Sequence, residues 1–282
     1  PFMQNGEKIN VAKLIAGSEG TLLFITELKL NLVDAPPKEK GLVCAHFSSI
    51  NKALKANVIA LKHDVTAVEL MDDIVLESSK GNIEQLKNRF FVKGDPKAIL
   101  LIEIAKETRE EIEQVAAKMI ADLEKSELGY HFPLIYGEDT KKAWNLRKAG
   151  LGIMANIPGD KKSITVIEDT AVHTDVLPEY IEEFTKIMEG YGEECVYHAH
   201  VGTGEIHLRP RLDLKQQEDI DKFERIAWDI AKLVKKYKGS LSGEHGDGLC
   251  RGEWISWQFG PKITDALAEI KHAFDPNGLL NP

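Results

Sequence analysis

The chain has 282 residues, 43% hydrophobic and 29% charged, the composition of ordinary soluble globular material with an ample core. Its formal charge of −9, from 36 basic and 45 acidic residues, argues against nucleic acid or an anionic membrane as the main partner. Cys44, Cys195 and Cys250 have no paired spacing and fit a reducing compartment, no apolar run approaches the roughly 20 residues of a membrane span, and nothing near Pro1 reads as a signal peptide.

The chain starts at Pro1 and soon enters "TLLFITELKLNLV", residues 21–33, which alternates after Ile25 with Leu28, Leu30 and Leu32 on one face and predicts a strand. It stops at "FDPNGLLNP" with no polar tail, and both ends read as cut from a longer protein. "DAPPKEK", Asp34 to Lys40, is a linker, because its prolines block both a helix and a central strand. Three strand–helix–strand units follow. The first is strand 41–47, helix 49–62 and strand 66–70; the second is strand 98–105, helix 109–125 and strand 131–136. Thr108-x-x-Glu111 announces that second helix as a capping box, with Ile112, Val115, Met119 and Leu123 on one stripe. The third unit is strand 163–168, helix 176–190 and strand 194–201. This interleaving predicts an α+β fold of ferredoxin-like type, a mostly antiparallel sheet with helices on one face and a C-terminal helical part. Outside the units lie a helix over 139–150 and the longest helix, over 216–238, with Ile220, Phe223, Ala227, Ile230, Val234 and Tyr237 inward and Gly239 as its stop. A short helix over 261–273 precedes a turn at "DPNG".

"YHAHVGTGEIHLRP", Tyr197 to Pro210, holds three histidines and an arginine around Gly202-Thr203-Gly204. Two glycines so close punctuate a strand as a turn. A four-residue loop over 202–205 would pair Val201 with Ile206, His200 with His207 and His198 with Arg209. Directly opposed residues share a face at roughly 5 Å, so one face would carry His198, His200, His207 and Arg209. Four cationic or cationisable groups on one face repel unless an anion or a metal sits among them. "SGEHGDG", Ser242 to Gly248, supplies the anion: its glycines permit a bend that presents Glu244 and His245 toward one cavity. Alone, that pair reads more simply as solvated loop charges. With His200 and His207, Glu244 completes a His, His, carboxylate set suited to a divalent metal such as zinc or manganese, leaving His245 free as an acid or base. Arg147 in "WNLRKAG" reads on its pattern as a helix-surface arginine. "AGSEGTL", Ala16 to Leu22, is a weak phosphate cradle, since neither a following helix nor a P-loop lysine is present.

Taken together, "AGSEGTLLFITELKL", "HAHVGTGEIHLRP", "SGEHGDGLCRGEW" and "FDPNGLLNP" resemble the FAD-linked oxidases of the vanillyl-alcohol oxidase superfamily, in their C-terminal half. These include D-lactate, glycolate and D-2-hydroxyglutarate dehydrogenases and larger relatives with an appended iron–sulfur domain. The resemblance covers almost the whole chain, from about residue 16. It implies that residues 1–33 are the tail of an FAD-binding domain, ending at the cofactor turn Gly17, Ser18, Glu19, Gly20 and Thr21, and that 34–282 is the substrate domain. It implies His200, His207 and Glu244 as metal ligands, His245 as the base on the substrate hydroxyl, and Arg147 as the grip on the substrate carboxylate. Arg209 in "HLRP" would be a second carboxylate clamp; His198, an extra histidine on the same face and a candidate substrate contact, is open as a ligand, a spare base or strand filling. Metal-binding relatives read G-D-G-N between the histidines, where this chain has Gly202-Thr203-Gly204-Glu205. The implied partners are a small 2-hydroxy acid, the parent's own FAD-binding domain and an iron–sulfur electron acceptor; the implied location is cytoplasmic, peripheral to the membrane in the parent. The chain by itself is expected to fold without retaining FAD or oxidising any hydroxy acid. Two rivals stand beside this reading: a self-sufficient metal-dependent hydrolase using the same three ligands on water, and a non-enzymatic interaction module.

Overall fold

A computed structural model describes residues 10–155 and 158–282. In chain order the elements are α1 (Val11–Ala16), β1 (Glu39–Phe47), α2 (Ile50–Ala60), β2 (Ala67–Asp72), α3 (Asp73–Ser78), α4 (Ile83–Leu86), β3 (Ala98–Lys106), α5 (Arg109–Lys125), β4 (Gly129–His131) and β5 (Leu134–Tyr136). They continue with α6 (Glu138–Ala155), β6 (Lys162–Ser163), β7 (Ile167–Ala171), α7 (Leu177–Tyr191), β8 (Cys195–His200), β9 (Glu205–Leu212), α8 (Gln217–Lys236), α9 (Gly248–Arg251), α10 (Ile255–Phe259) and α11 (Pro261–Phe274). The chain divides into two compact units, Pro36–Asp247 and the pair Pro1–Ala35 with Gly248–Pro282.

The larger unit is built on an antiparallel sheet in the order β4-β1-β3-β2-β8-β9-β6, with β5 also on β1 and β7 also on β9. The α+β architecture expected from the strand–helix–strand units is the one observed, but helices cover both faces of the central strands and not one. Helix α2 packs against α5 and α7, α2 and α5 lie on β1 and β3, α7 touches β8 through Phe184 and Tyr197, and α8 lies on α7. The second face of the central strands is covered by α6, whose Ala143 and Leu146 sit in one buried cluster with Leu42, Cys44, Met71, Ile99 and Leu101. With both faces covered, β1 and β3 read as near-continuous apolar runs instead of alternating ones. The Thr108–Glu111 capping box is formed in both directions, an interaction of about 1 kcal/mol. On the α6 side the apolar layer stops at Leu146, and the next residue, Arg147, begins the polar one.

Several elements differ from expectation for local reasons. The strand over 131–136 is split into β4 and β5 at Phe132-Pro133, because proline has no N–H for the ladder; both pieces still pair with β1. The strand over 163–168 resolves into β6 and β7, both on β9. On α8 the buried stripe is Ile226, Ala227, Ile230, Ala231, Leu233 and Val234, whereas Ile220 is exposed. The first turn of α8 is tied down by a carboxylate instead, with Asp219 accepting from Asp213 N–H at 2.7 Å.

In the smaller unit α1 leads into a turn over Gly17–Thr21, where Glu19 and Gly20 take positive φ and the hydroxyls of Ser18 and Thr21 donate to the chain's own carbonyls. The expected strand over 21–33 does not form: Phe24, Leu28, Leu30, Leu32 and Val33 are exposed, and no described strand lies beside them. Alternation alone does not make a strand without a ladder partner to hold its backbone. Residues 248–282 group with this segment, so the larger unit ends before them. There α11 ends at Asp275, whose carboxylate accepts from Leu279 and Leu280 N–H at 2.9 Å each and pairs with Lys271 at 2.6 Å.

Candidate metal and proton-transfer site

The histidine motif forms the β8–β9 hairpin, two residues out of the expected register. His198 pairs with His207, Ala199 with Ile206, and His200 with Glu205. The loop is therefore Val201–Gly204 and not 202–205. Two contacts from elsewhere in the fold set it: Asn57 of α2 donates to the Val201 carbonyl at 2.8 Å, and Gly202 N–H donates to Val68 of β2 at 3.0 Å. Gly204 closes the loop at φ +81, and a Cβ there would lie 2.0 Å from the Val172 carbonyl oxygen. A two-residue shift preserves facing, whereas a one-residue slip would have reversed it. His198, His200, His207 and Arg209 thus share one face as expected, joined by Glu205 opposite His200 and by Val196 opposite Arg209.

The three expected metal ligands converge. Glu244 Oε1 lies 3.7 Å from His200 Nε2 and 3.8 Å from His207 Nε2. The rings of His200 and His207 stand edge-on with centroids 5.1 Å apart. Each has its Nδ1 engaged: His200 with the Glu69 carboxylate at 2.9 Å, His207 with the Glu168 backbone carbonyl at 2.8 Å. An acceptor at Nδ1 puts the ring hydrogen there and leaves the Nε2 lone pair bare, as a metal ligand requires. Ligand atoms about 2.1 Å from a tetrahedral ion are roughly 3.4 Å apart, so these residues fit a divalent ion after only slight contraction. The Glu69 hydrogen bond raises the His200 pKa, and burial lowers that of His207. His245 stacks on His207 at 5.4 Å, with its Nε2 3.5 Å from Glu244 Oε1 and its Nδ1 3.4 Å from Glu168 Oε1.

The repulsion expected on this face is relieved by carboxylates that the hairpin argument did not find. Glu69 of β2 lies beside His200, and Glu168 of β7 pairs with Arg209 at 2.6 Å. A bulge in β7, between Ile167 and Thr170, sets Glu168 and Asp169 together against His207 of β9. Asp169 is fully buried and holds the "SGEH" loop by its backbone: it accepts from His245 N–H at 2.9 Å, from Glu244 N–H at 3.2 Å and from the Ser242 hydroxyl, while its own carbonyl accepts from Gly243 N–H at 2.7 Å. Burial opposes its charge, but these donors outweigh it and hold its pKa below the ordinary value. Glu205, buried and bonded to Asp169, is pushed up to about 7, chiefly by burial and then by that partner.

Neither arginine stands alone. Arg147, buried on α6, donates to Glu69 Oε2 at 2.5 Å, to His198 Nε2 at 2.6 Å and to the Ala199 carbonyl at 3.2 Å. His198 is a neutral acceptor beneath it, its pKa lowered to about 2 by burial and then by Arg147. A cavity of about 490 Å³ opens beside His200, Glu244, Glu69 and Glu205 and runs along Val65–Val68. Glu69, Glu168 and Asp169 are the site-lining residues missed, and the signal for them was weak: acids inside the apolar strand runs "AVELMD" and "VIEDTAV".

The chain as a whole is similar to known proteins. D-2-hydroxyglutarate dehydrogenase of Haemophilus influenzae is 32% identical over 296 residues, covering 100% of this chain and 28% of that protein. Glycolate oxidase subunit GlcD of Bacillus subtilis is 25% identical over 278 residues, covering 97% of this chain and 56% of the relative. The chain thus spans between about a quarter and about half of the length of these relatives. Among solved structures, 4-ethylphenol oxidase from Gulosibacter chungangensis shares the fold, with a TM-score of 0.62 and 13% identity over 88% of this chain and 53% of that one. The family model of FAD linked oxidases, C-terminal domain, matches residues 36–282, which take in the whole sheet, the hairpin and the Glu244–His245 loop. The chain belongs to that family, as a C-terminal domain of the FAD linked oxidases.

Proposed function

We propose that this chain is the substrate-handling domain of a flavin-dependent 2-hydroxy-acid dehydrogenase of the D-2-hydroxyglutarate, D-lactate or glycolate type. The observation that carries the reading is the convergence of His200 Nε2, His207 Nε2 and Glu244 Oε1, with both Nδ1 atoms already engaged. His200, His207 and Glu244 would hold a divalent ion such as zinc or manganese, whose chemistry here is Lewis acidity toward the substrate hydroxyl and carboxylate oxygens. His245 takes the hydroxyl proton at Nε2, with its Nδ1 turned toward Glu168. The flavin that the family description implies supplies the two-electron acceptor. Gly17, Ser18, Glu19, Gly20 and Thr21 are a compact turn whose hydroxyls donate locally, so no flavin contact is assigned to them beyond what the family implies. Arg209 is the better carboxylate clamp of the two arginines, since its guanidinium pairs with Glu168, whereas that of Arg147 is tied to three groups, Glu69, His198 and the Ala199 carbonyl. Arg147 would have to exchange Glu69 for the substrate carboxylate to serve the same purpose.

The relatives favour this reading over the hydrolase, because the two compared by sequence are named as a dehydrogenase and an oxidase of hydroxy acids. An iron–sulfur acceptor and a cytoplasmic location belong to the same proposal. Among the described residues no helix is long and apolar enough to cross a membrane.

The test is metal stoichiometry beside single-turnover flavin reduction in the whole flavoprotein that carries this chain, with D-2-hydroxyglutarate, D-lactate and glycolate. Flavin reduction by one of them that is lost on metal removal and restored by zinc or manganese is the expected result. Metal without flavin, together with hydrolytic turnover, would favour the hydrolase. The isolated chain should bind metal yet be colourless; a stoichiometric yellow chromophore on it would contradict the domain assignment.

A further inference from the structure

We infer that Glu69 is a positioning residue that sets the tautomer of His200, and that Arg147 acts on the metal site through Glu69. The inference rests on the metal reading above for its consequence, but not for its geometry. Glu69 stands on β2, outside every motif that marks the site, with only 14% of its side chain exposed. Its two oxygens serve two partners at once: Oε1 is 2.9 Å from His200 Nδ1, and Oε2 is 2.5 Å from Arg147 Nη2. Arg147 reaches no described ligand atom of the metal set. Its other contacts are His198 Nε2 and the Ala199 carbonyl, both on the strand that carries His200.

The donor inventory of these groups dictates the proton's place. Arginine only donates, so it claims an oxygen from whatever residue stands at position 69. A carboxylate has a second oxygen left for His200, which must then carry its hydrogen on Nδ1 and offer Nε2 to a metal. A carboxamide has a single oxygen. With Arg147 on it, the amide NH₂ would face His200 Nδ1, the ring would have to accept there, and its hydrogen would move to Nε2. Glu69→Gln, almost isosteric, should therefore invert the tautomer and block the ligand atom. Removing Arg147 as well should let the amide turn its oxygen to His200 and restore Nδ1–H.

The experiment uses the full chain labelled with ¹⁵N-histidine, metal-free and under mildly alkaline conditions, followed by zinc titration. Wild type should show His200 with hydrogen on Nδ1, Glu69→Gln with hydrogen on Nε2, and the double variant Glu69→Gln/Arg147→Met with Nδ1–H again. Zinc affinity should fall roughly 10- to 100-fold in Glu69→Gln and recover in part in the double variant. His207, whose Nδ1 partner is the Glu168 carbonyl, serves as the internal control and should keep its tautomer in all three. Unchanged His200 tautomer in a folded Glu69→Gln chain would overturn the inference. Loss of the His207 signal pattern too would mark general disruption and count against it; in that case Glu69→Asp, which keeps two acceptor oxygens, should retain Nδ1–H on His200, and failure there also overturns it. A wild type that binds no zinc, with the tautomer inversion still seen in Glu69→Gln, would remove the metal reading while sustaining the role of Glu69.

Discussion

His46 with His131, and His200 with His207, are two edge-to-face histidine pairs in the same sheet, with ring centroids 5.0 Å and 5.1 Å apart. Ring distance does not tell them apart; nitrogen bookkeeping does. His46 is fully buried, with Nδ1 on the Cys44 carbonyl at 2.8 Å and Nε2 accepting from Lys93 N–H at 3.2 Å, so both nitrogens are spent on the backbone. His200 and His207 each spend one nitrogen and aim the other at the same Glu244 oxygen. His46 can only hold the fold together, whereas His200 and His207 have lone pairs left for a ligand. A cluster of histidines is a site when its nitrogens are left over and an anion converges on them.

The largest effect that tests this distinction is in catalysis. In the whole flavoprotein, His245→Ala should keep the metal while single-turnover flavin reduction falls roughly 10²- to 10⁴-fold, the usual cost of a lost general base, with kcat and kcat/KM falling together. His207→Ala should lose metal first, with activity partly recovered at high metal concentration. If His245→Ala strips the metal while flavin reduction survives, the two roles are misassigned.

The structural histidine, His46, should instead reveal itself in pH dependence. Burial lowers the His46 pKa from 6.5 to about 4, so the unfolded chain takes up its proton first. Its contribution to stability is whole above pH 6.5 and lost as pH falls toward 4, up to about 3 kcal/mol by proton linkage. Denaturant melts of wild type and His46→Gln across that window should converge as pH falls, with zinc affinity at neutral pH unchanged. Parallel curves would mean that His46 is not held neutral by the fold.

Asp169→Asn should give a smaller, mixed effect that links the two kinds of role. The amide keeps one oxygen, so its NH₂ would face one of the N–H groups, of Glu244 or His245, that now meet carboxylate oxygens. Leaving such a half-buried donor unpaired costs about 1 kcal/mol or more, and zinc affinity should fall with it because the Glu244–His245 loop loses part of its anchor. Lost stability with unchanged zinc affinity would make Asp169 purely structural.

How much of this was legible in the sequence follows from the same distinction. The facing of His198, His200 and His207 was legible because parity along a strand is local, and it survived a two-residue error in register. The register itself depends on Asn57 and Val68, which are far away in sequence and give no signal in the hairpin. Glu244 and His245 were legible because glycines bracket them. Glu69, Glu168 and Asp169 were not, since an acid in an apolar strand run identifies itself only once the neighbouring strand is known. The failure over 21–33 is the converse case, a good alternating pattern for which no described strand provides a ladder.

The claim that His200, His207 and Glu244 form a ligand set with bare Nε2 atoms is tested most directly by titrating zinc into the ¹⁵N-histidine-labelled chain and following each ring nitrogen. The account predicts that the Nε2 resonances of His200 and His207 shift together and saturate at stoichiometric metal, while those of His46 and His198 stay in place. Saturation with neither His200 nor His207 moving, or with His46 responding in their stead, would contradict it.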